Sequence, residues 1–264
     1  MGADCCGGCA SGWNGLPVVA AIAGSISRQV YVVKWMSDLP ESLFANPILH
    51  ALDTRHRHLA IRAGGACRYP PDVAPFAAVT DASESTLREL SSLLTGGESV
   101  WIAGENYPRV PELVFETTLP CLQMVLEDAD SLPSADAGIE RLTDGDARDM
   151  VALTELAFPG FFRSRTCEMG AYYGVRRAGE LIAMGGERLL LDGYSEISGL
   201  CTHSAHRGKG LAAGLIGQLA RSHRSEGVVS WLHVGSENRH AIELYLRLGF
   251  RRVREVAMQR VSRF

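Results

Sequence analysis

The segment Thr202-His203-Ser204-Ala205-His206-Arg207-Gly208-Lys209-Gly210-Leu211-Ala212 constrains this chain more than any other. Tyr194 to Thr202, just before it, reads as a strand ending Gly199-Leu200-Cys201-Thr202. Gly210 to Ser225 reads as a helix, with Leu211, Leu215 and Leu219 four apart on one stripe. Between them lies a turn carrying two glycines and two basic residues. Such a turn offers successive backbone N–H groups, at the positive end of a helix dipole, to an anion. Gly208 and Gly210 let the main chain approach the ligand closely, where a side chain would block a pyrophosphate. The turn is therefore expected to cradle a diphosphate.

Two common nucleotide loops are excluded or weakened. A P-loop needs Lys-Ser or Lys-Thr after its last glycine, and Lys209 is followed by Gly210. A dinucleotide fingerprint is approximated by Gly208-Lys209-Gly210-Leu211-Ala212-Ala213. However, the strand before it is polar (Ser195, Glu196, Ser198), and no following strand ends in a ribose-binding acid. A dinucleotide oxidoreductase is accordingly disfavoured.

Downstream, Val228 to Val234 reads as a strand. It is followed by Asn238-Arg239-His240-Ala241-Ile242-Glu243-Leu244-Tyr245-Leu246-Arg247-Leu248-Gly249-Phe250. Asn238, Ala241 and Tyr245 recur at spacings of three and four and so share one helix face. Gly249 stands where a helix ends in a left-handed cap. With Arg207-x-x-Gly210-x-Ala212 ahead of Asn238, Ala241, Leu244, Tyr245, Gly249 and Phe250, the chain resembles the GNAT superfamily of acyl-CoA-dependent N-acetyltransferases. The resemblance covers roughly residues 138–260.

That resemblance implies an α+β (α/β) acyl-CoA N-acyltransferase fold, a mixed and mostly antiparallel sheet flanked by helices, with acetyl-CoA as co-substrate. It implies direct transfer of an acetyl group to a primary amine, on a small molecule or a peptide. The competing expectation, from another class, is a non-catalytic acyl-CoA-binding sensor. Transfer needs a neutral amine, a stabilised oxyanion and a proton for the departing thiolate. Glu196, four residues before Leu200, resembles in position the catalytic glutamate of histone-type members and is the first candidate base. Glu187 or a water relay is the alternative. The resemblance places Tyr245 near the leaving sulfur, where a phenol with pKa near ~10 stays protonated at neutral pH and donates.

Backbone N–H groups at Leu200, Cys201 and Thr202, loosened by a bulge near Gly199, are expected to meet the oxyanion and pair with the pantetheine arm. Arg207, Gly208, Lys209, Gly210, Leu211, Ala212 and Ala213 are expected to hold the diphosphate, with Asn238 reaching the pantetheine or phosphate side. His203 and His206 lack a third ligand nearby and read as polar loop histidines, so no metal is expected.

Upstream, Ile139 to Leu142 reads as a strand and Gly145 to Ala157 as a helix after Thr143-Asp144. Ala171–Arg176 and Glu180–Leu190 read as a hairpin. The aromatic loop Phe158-Pro159-Gly160-Phe161-Phe162 is either a wall of the acceptor site or a plug in the core.

The chain of 264 residues, 46% hydrophobic, suffices for two modest domains or one large one. No apolar run reaches the ~20 residues that span a bilayer. The formal charge of −4 and the lack of an aromatic-basic platform argue against nucleic acid, although residues 203–264 hold eleven Lys and Arg against four Glu. Seven cysteines, an odd number and scattered, suit a reducing, cytoplasmic compartment. Residues 36–130 carry no anion loop, and their mixed strands and helices repeat the downstream rhythm, as a degenerate, cofactor-free copy of the same fold would; the alternative is an unrelated α+β domain that caps the substrate side. The expected organisation is a poorly structured leader at 1–35 with Met36 as the natural start, an N-terminal domain at 36–130, a linker at 131–137 and the acetyl-CoA domain at 138–264. A monomer or homodimer is expected.

Overall fold

The computed structural model describes residues 41–129, 132–133 and 138–264. The expected leader and start site lie outside these, as does all of the expected linker except Leu132 and Pro133. The described residues form one compact unit.

Two stretches of this unit share a core order of helix, three-strand meander, helix and strand, although the first lacks an opening strand and a helix between its last two strands. The first has helices α1 (Glu41–Ala45) and α2 (Pro47–Asp53), then a meander of β1 (Ile61–Ala63), β2 (Ala66–Arg68) and β3 (Ala77–Val79). It continues with helix α3 (Glu84–Ser92) and strands β4 (Ser99–Ala103) and β5 (Leu113–Leu126). The second has β6 (Ile139–Leu142), α4 (Ala147–Glu155) and a meander of β7 (Tyr172–Arg177), β8 (Glu180–Leu191) and β9 (Tyr194–Thr202). It continues with α5 (Leu211–Ser225), β10 (Val229–Gly235), α6 (Arg239–Arg247) and β11 (Phe250–Arg263). In both, the helix after the meander leads to a strand parallel to the meander's last segment: Phe76 bridges Trp101 in the first, and Tyr194–Glu196 pair with Val229–Trp231 in the second.

The N-termini of the two corresponding helices differ. At α3, Ser83 Oγ caps the Thr86 N–H (3.3 Å), and Asp81 accepts from Ser83 N (2.9 Å) and Thr86 Oγ1 (3.0 Å). The chain's own carboxylate occupies that helix end, whereas α5 begins on a glycine turn with a basic residue on either side of Gly208.

β1, β2 and β3 form a small antiparallel sheet. The main sheet has eight strands in the order β4-β11-β5-β10-β9-β8-β7-β6, antiparallel throughout except for β9 against β10. This is the mixed, mostly antiparallel sheet that the sequence implied. Strand pairing also crosses the expected division at 36–130 and 138–264. β5, from the first stretch, lies between β10 and β11, and β11 lies between β5 and β4. Each stretch's last strand thus sits beside the other's preceding strand, and neither has a complete sheet alone. The physical reason is that β5 is apolar on both faces. Leu122, Met124 and Leu126 join the core under α5 and α6, while Cys121 and Val125 join the core under α1 and α2.

Elements with little periodic signal are hard to read from the sequence: β2 has only three residues, and the first half of β5 carries the exposed Glu116-Thr117-Thr118 segment. Among the described residues no helix is long and apolar enough to cross a membrane.

Candidate active site

β9 and β10 pair only at Tyr194–Glu196 and Val229–Trp231. β10 then stays with β5 as far as Gly235 opposite Cys121, and β9 follows β8, so a gap opens between two neighbouring parallel strands. β8 pairs Gly186 with Ser198 and Met184 with Cys201, two residues advancing against three, so Gly199-Leu200 forms a bulge. Gly199 has φ +62°, a left-handed conformation that glycine adopts without strain. The sequence expectation of a bulge near Gly199 describes this backbone. The cavity in the gap, about 260 Å³, is bounded by Gly199 and Leu200 on β9, Val234 and Gly235 on β10, and Asn238 and Tyr245 on α6.

A groove of about 650 Å³ leads from this cavity to the glycine turn, with Leu200, Asn238, Ala241 and Tyr245 belonging to both. Gly208 and Gly210 each have φ +75°, and a Cβ added to either would meet nothing within 4 Å. Their surface is open to a ligand. Gly214 N–H donates to Gly210 O (3.0 Å), so the Leu211, Ala212 and Ala213 amides precede the first α-helical bond of α5. Arg207 and Lys209 are exposed beside them, with Arg207 Nε donating to Thr202 O (3.4 Å). Cys201 and Thr202 line the same groove.

Asn238 caps α6, its Oδ1 accepting from Ala241 N (3.1 Å), and this leaves its amide hydrogens for the groove. His240 and Arg247 also line the groove and were not singled out from the sequence. Their spacing of seven puts them on one helix face, which was the available signal. His203 Nδ1 accepts from Ala205 N (3.3 Å) and shapes the loop.

Tyr245 is half-buried against Phe250, ring centroids 5.7 Å apart. Its hydroxyl has no hydrogen-bond partner among the described residues. Burial pushes its pKa up to about 12, so it holds its proton throughout the neutral range.

Glu196 does not have the geometry of a general base. It is fully buried, and Arg188 grips it with Nε on Oε2 (2.9 Å) and Nη2 on Oε1. His233 Nδ1–H donates to Oε1 (2.7 Å), and Leu189 N–H donates to Oε2 (3.3 Å). Gln123 Nε2 donates to Phe44 O (2.9 Å) and to His233 Nε2 (3.0 Å), which fixes the proton of a neutral His233 on Nδ1. Burial opposes ionisation of Glu196, but the Arg188 charge, aided by His233, overrides it and holds the carboxyl well below the usual range. A carboxylate so occupied has neither a free lone pair nor the basicity to take a proton from an ammonium. The sequence pointed to Glu196 by its offset from Leu200, but its partners are set by the bulge in β8 opposite it and by β10.

Glu187, the second candidate, is similarly engaged. It accepts from Ala171 N (2.6 Å), Ser195 Oγ (3.0 Å) and His223 Nε2 (2.8 Å). Burial opposes ionisation here too, and the His223 contact with these donors lowers its pKa.

The Glu196 pair yields a stability prediction. Its folded pKa lies below its unfolded value, so its contribution is full above the unfolded value near ~4.3 and is lost as pH falls through the folded one. Glu196→Gln leaves the half-buried Arg188 without its counter-charge, and breaking a pair whose carboxylate is fully buried costs about 3–5 kcal/mol at most. Thermal melts of wild type and mutant should differ widely at pH 7 and converge as the pH is lowered below 4. A constant difference across that range would show that the ionised pair is not the source.

The fold, a sheet whose parallel strands part beside a helix that starts on a basic glycine turn, defines an acyltransferase class. A family model described as FR47-like protein matches residues 172–259. A GNAT-family structure from Novosphingobium aromaticivorans DSM 12444 is 32% identical, with 84% of this chain and 98% of that one covered and a TM-score of 0.76. A GCN5-related N-acetyltransferase from Kribbella flavida shares the fold at 17% identity, with 86% and 96% covered and a TM-score of 0.56. The sequence matches none of the curated proteins with which it was compared. The chain belongs to the GNAT family of acetyltransferases.

Proposed function

We propose that this protein transfers an acetyl group from acetyl-CoA directly to a primary amine. The observation that carries this reading is the continuity of the groove. It runs from the amides at the start of α5, past Asn238 and Tyr245, into the strand gap, with both residues lining groove and cavity alike. Arg207, Lys209 and the amides from Gly208 to Ala213 bind the diphosphate. The backbone at Leu200, Cys201 and Thr202 lies along the pantetheine path, where its N–H groups stabilise the oxyanion of the addition step.

The amine nitrogen bonds to the acetyl carbon, the carbon–sulfur bond breaks, and Tyr245 Oη–H supplies the proton to the thiolate. The amine's own proton leaves through water in the cavity, since Glu196 and Glu187 are both engaged, and restores the Tyr245 hydroxyl by the same water. Burial pushes the thiols of Cys121 and Cys201 up to about 11 and about 12. They stay protonated at neutral pH, which favours direct transfer over an acetyl-cysteine route.

The absence of a free carboxylate from the cavity lining also suits the second reading, a sensor that binds acyl-CoA without turnover. The two part in one assay. Acetyl-CoA with a panel of primary amines should release free thiol in equal amount to acetylated amine detected by mass spectrometry. Tight acetyl-CoA binding with no thiol release across the panel would establish the sensor instead.

A further inference from the structure

Behind the cavity in the strand gap lies a smaller, largely apolar pocket of about 60 Å³, formed by Ile48, Phe76, Trp101, Leu189 and Met258. The two adjoin at Leu119, Cys121, Phe161, Arg188 and His233, which line both. Arg188 is the charged group at the junction. Its Nε and Nη2 are bound to Glu196, and its guanidinium carbon lies 5.0 Å from the centroid of the Phe76 ring. No hydrogen bond engages its Nη1 among the described residues. A guanidinium held rigidly by an ion pair and a ring, with one nitrogen unengaged at a cavity wall, recognises an oxygen acceptor.

We infer that the acceptor is an α-amino acid with a compact aliphatic side chain. Its carboxylate meets Arg188 Nη1, its side chain enters the inner pocket, and its amine faces the strand gap. This rests on the transfer reading above. Size decides the side chain. An apolar cavity of roughly 150 Å³ takes a six-carbon benzene ring, so a pocket of about 60 Å³ suits about two or three carbons. Charge decides the class. Arg188 already offsets Glu196, so a zwitterion adds no net charge, whereas a diamine would bring two positive charges to a lining without a free carboxylate. The reaction is the one already written, with the amino acid's nitrogen as the nucleophile.

The test compares kcat/KM for thiol release with L-valine, L-valinamide, isobutylamine, L-phenylalanine and putrescine. Valine should exceed isobutylamine by roughly 10–100-fold, the range for a hydrogen bond to a charged group, and should exceed phenylalanine and putrescine. Arg188→Lys keeps a positive charge for Glu196 but removes the Nη1 donor. It should bring the valine-to-isobutylamine ratio close to one without changing KM for acetyl-CoA, an effect that loss of structure alone would not produce. Trp101→Leu enlarges the inner pocket away from the ion pair and should shift preference from valine toward phenylalanine. This second variant keeps the test decisive if Arg188→Lys melts at lower temperature.

Isobutylamine or putrescine matching valine overturns the inference and leaves amine acetylation standing. Valinamide outperforming valine overturns the carboxylate as the group on Arg188. Absence of thiol release with every amine, despite acetyl-CoA binding, refutes the transfer reading itself.

Discussion

A chain beginning at Ala135 is expected to lose both its cooperative melt and its affinity for acetyl-CoA, although it retains every residue of the glycine turn and of α6. The deletion removes β4 and β5. The described pairings of β11 are with those two strands, so it loses its sheet neighbours along its length, and β10 loses its partner on the side away from β9. Leu122, Met124 and Leu126 leave one core, and Cys121 and Val125 leave the other. Unpaired edges and exposed apolar faces of that extent drive aggregation. The strand gap goes as well, because β10 is held apart from β9 by its pairing with β5. Matching melting temperatures and acetyl-CoA affinities for the Ala135-start and full-length chains would show that the second stretch is an independent module.

Tyr245→Phe is expected to reduce turnover by ~10²–10⁴-fold, the usual effect of removing a general acid. The ring packs on Phe250 and phenylalanine keeps that contact, so stability and acetyl-CoA affinity should hold. Because burial holds the phenol near 12, the wild-type rate should show no alkaline loss from this group in the range where proteins are ordinarily assayed. Turnover at the wild-type level in the mutant, with both substrates saturating, would assign Tyr245 to packing alone.

These residues differ in how openly the sequence displays them. The glycine turn, Asn238, Ala241 and Tyr245 are local patterns. A positive-φ glycine pair before a helix and a 3–4 spacing on one face carry their geometry within a dozen residues. β6 and β9 have the bounds that their composition gave, Ile139–Leu142 and Tyr194–Thr202, because turn residues punctuate them. What the sequence hides is pairing across the sheet. β5 reads as an ordinary apolar strand, and nothing local says that it inserts between β10 and β11. Glu196 reads as an exposed strand acid in reach of a thioester, yet its partners stand 8 residues before it and 37 after. Arg188 and His233 were overlooked for the same reason. Their roles exist only once β8, β9 and β10 lie side by side, and the β8 bulge that aims Arg188 at Glu196 has no glycine or proline at the bulge itself to announce it.

The account rests on the glycine turn as the seat of the diphosphate, and Gly210→Asp tests it most directly. Position 210 has φ +75°, which costs aspartate about 1–3 kcal/mol, and its side chain would project into open space beside the first amides of α5. A carboxylate there would take the place of the ligand's phosphate and repel it. Calorimetric titration of acetyl-CoA into the folded mutant, with its melting curve recorded alongside, should show binding lost while the cooperative transition persists. Wild-type affinity in a folded Gly210→Asp protein would contradict the assignment of the groove.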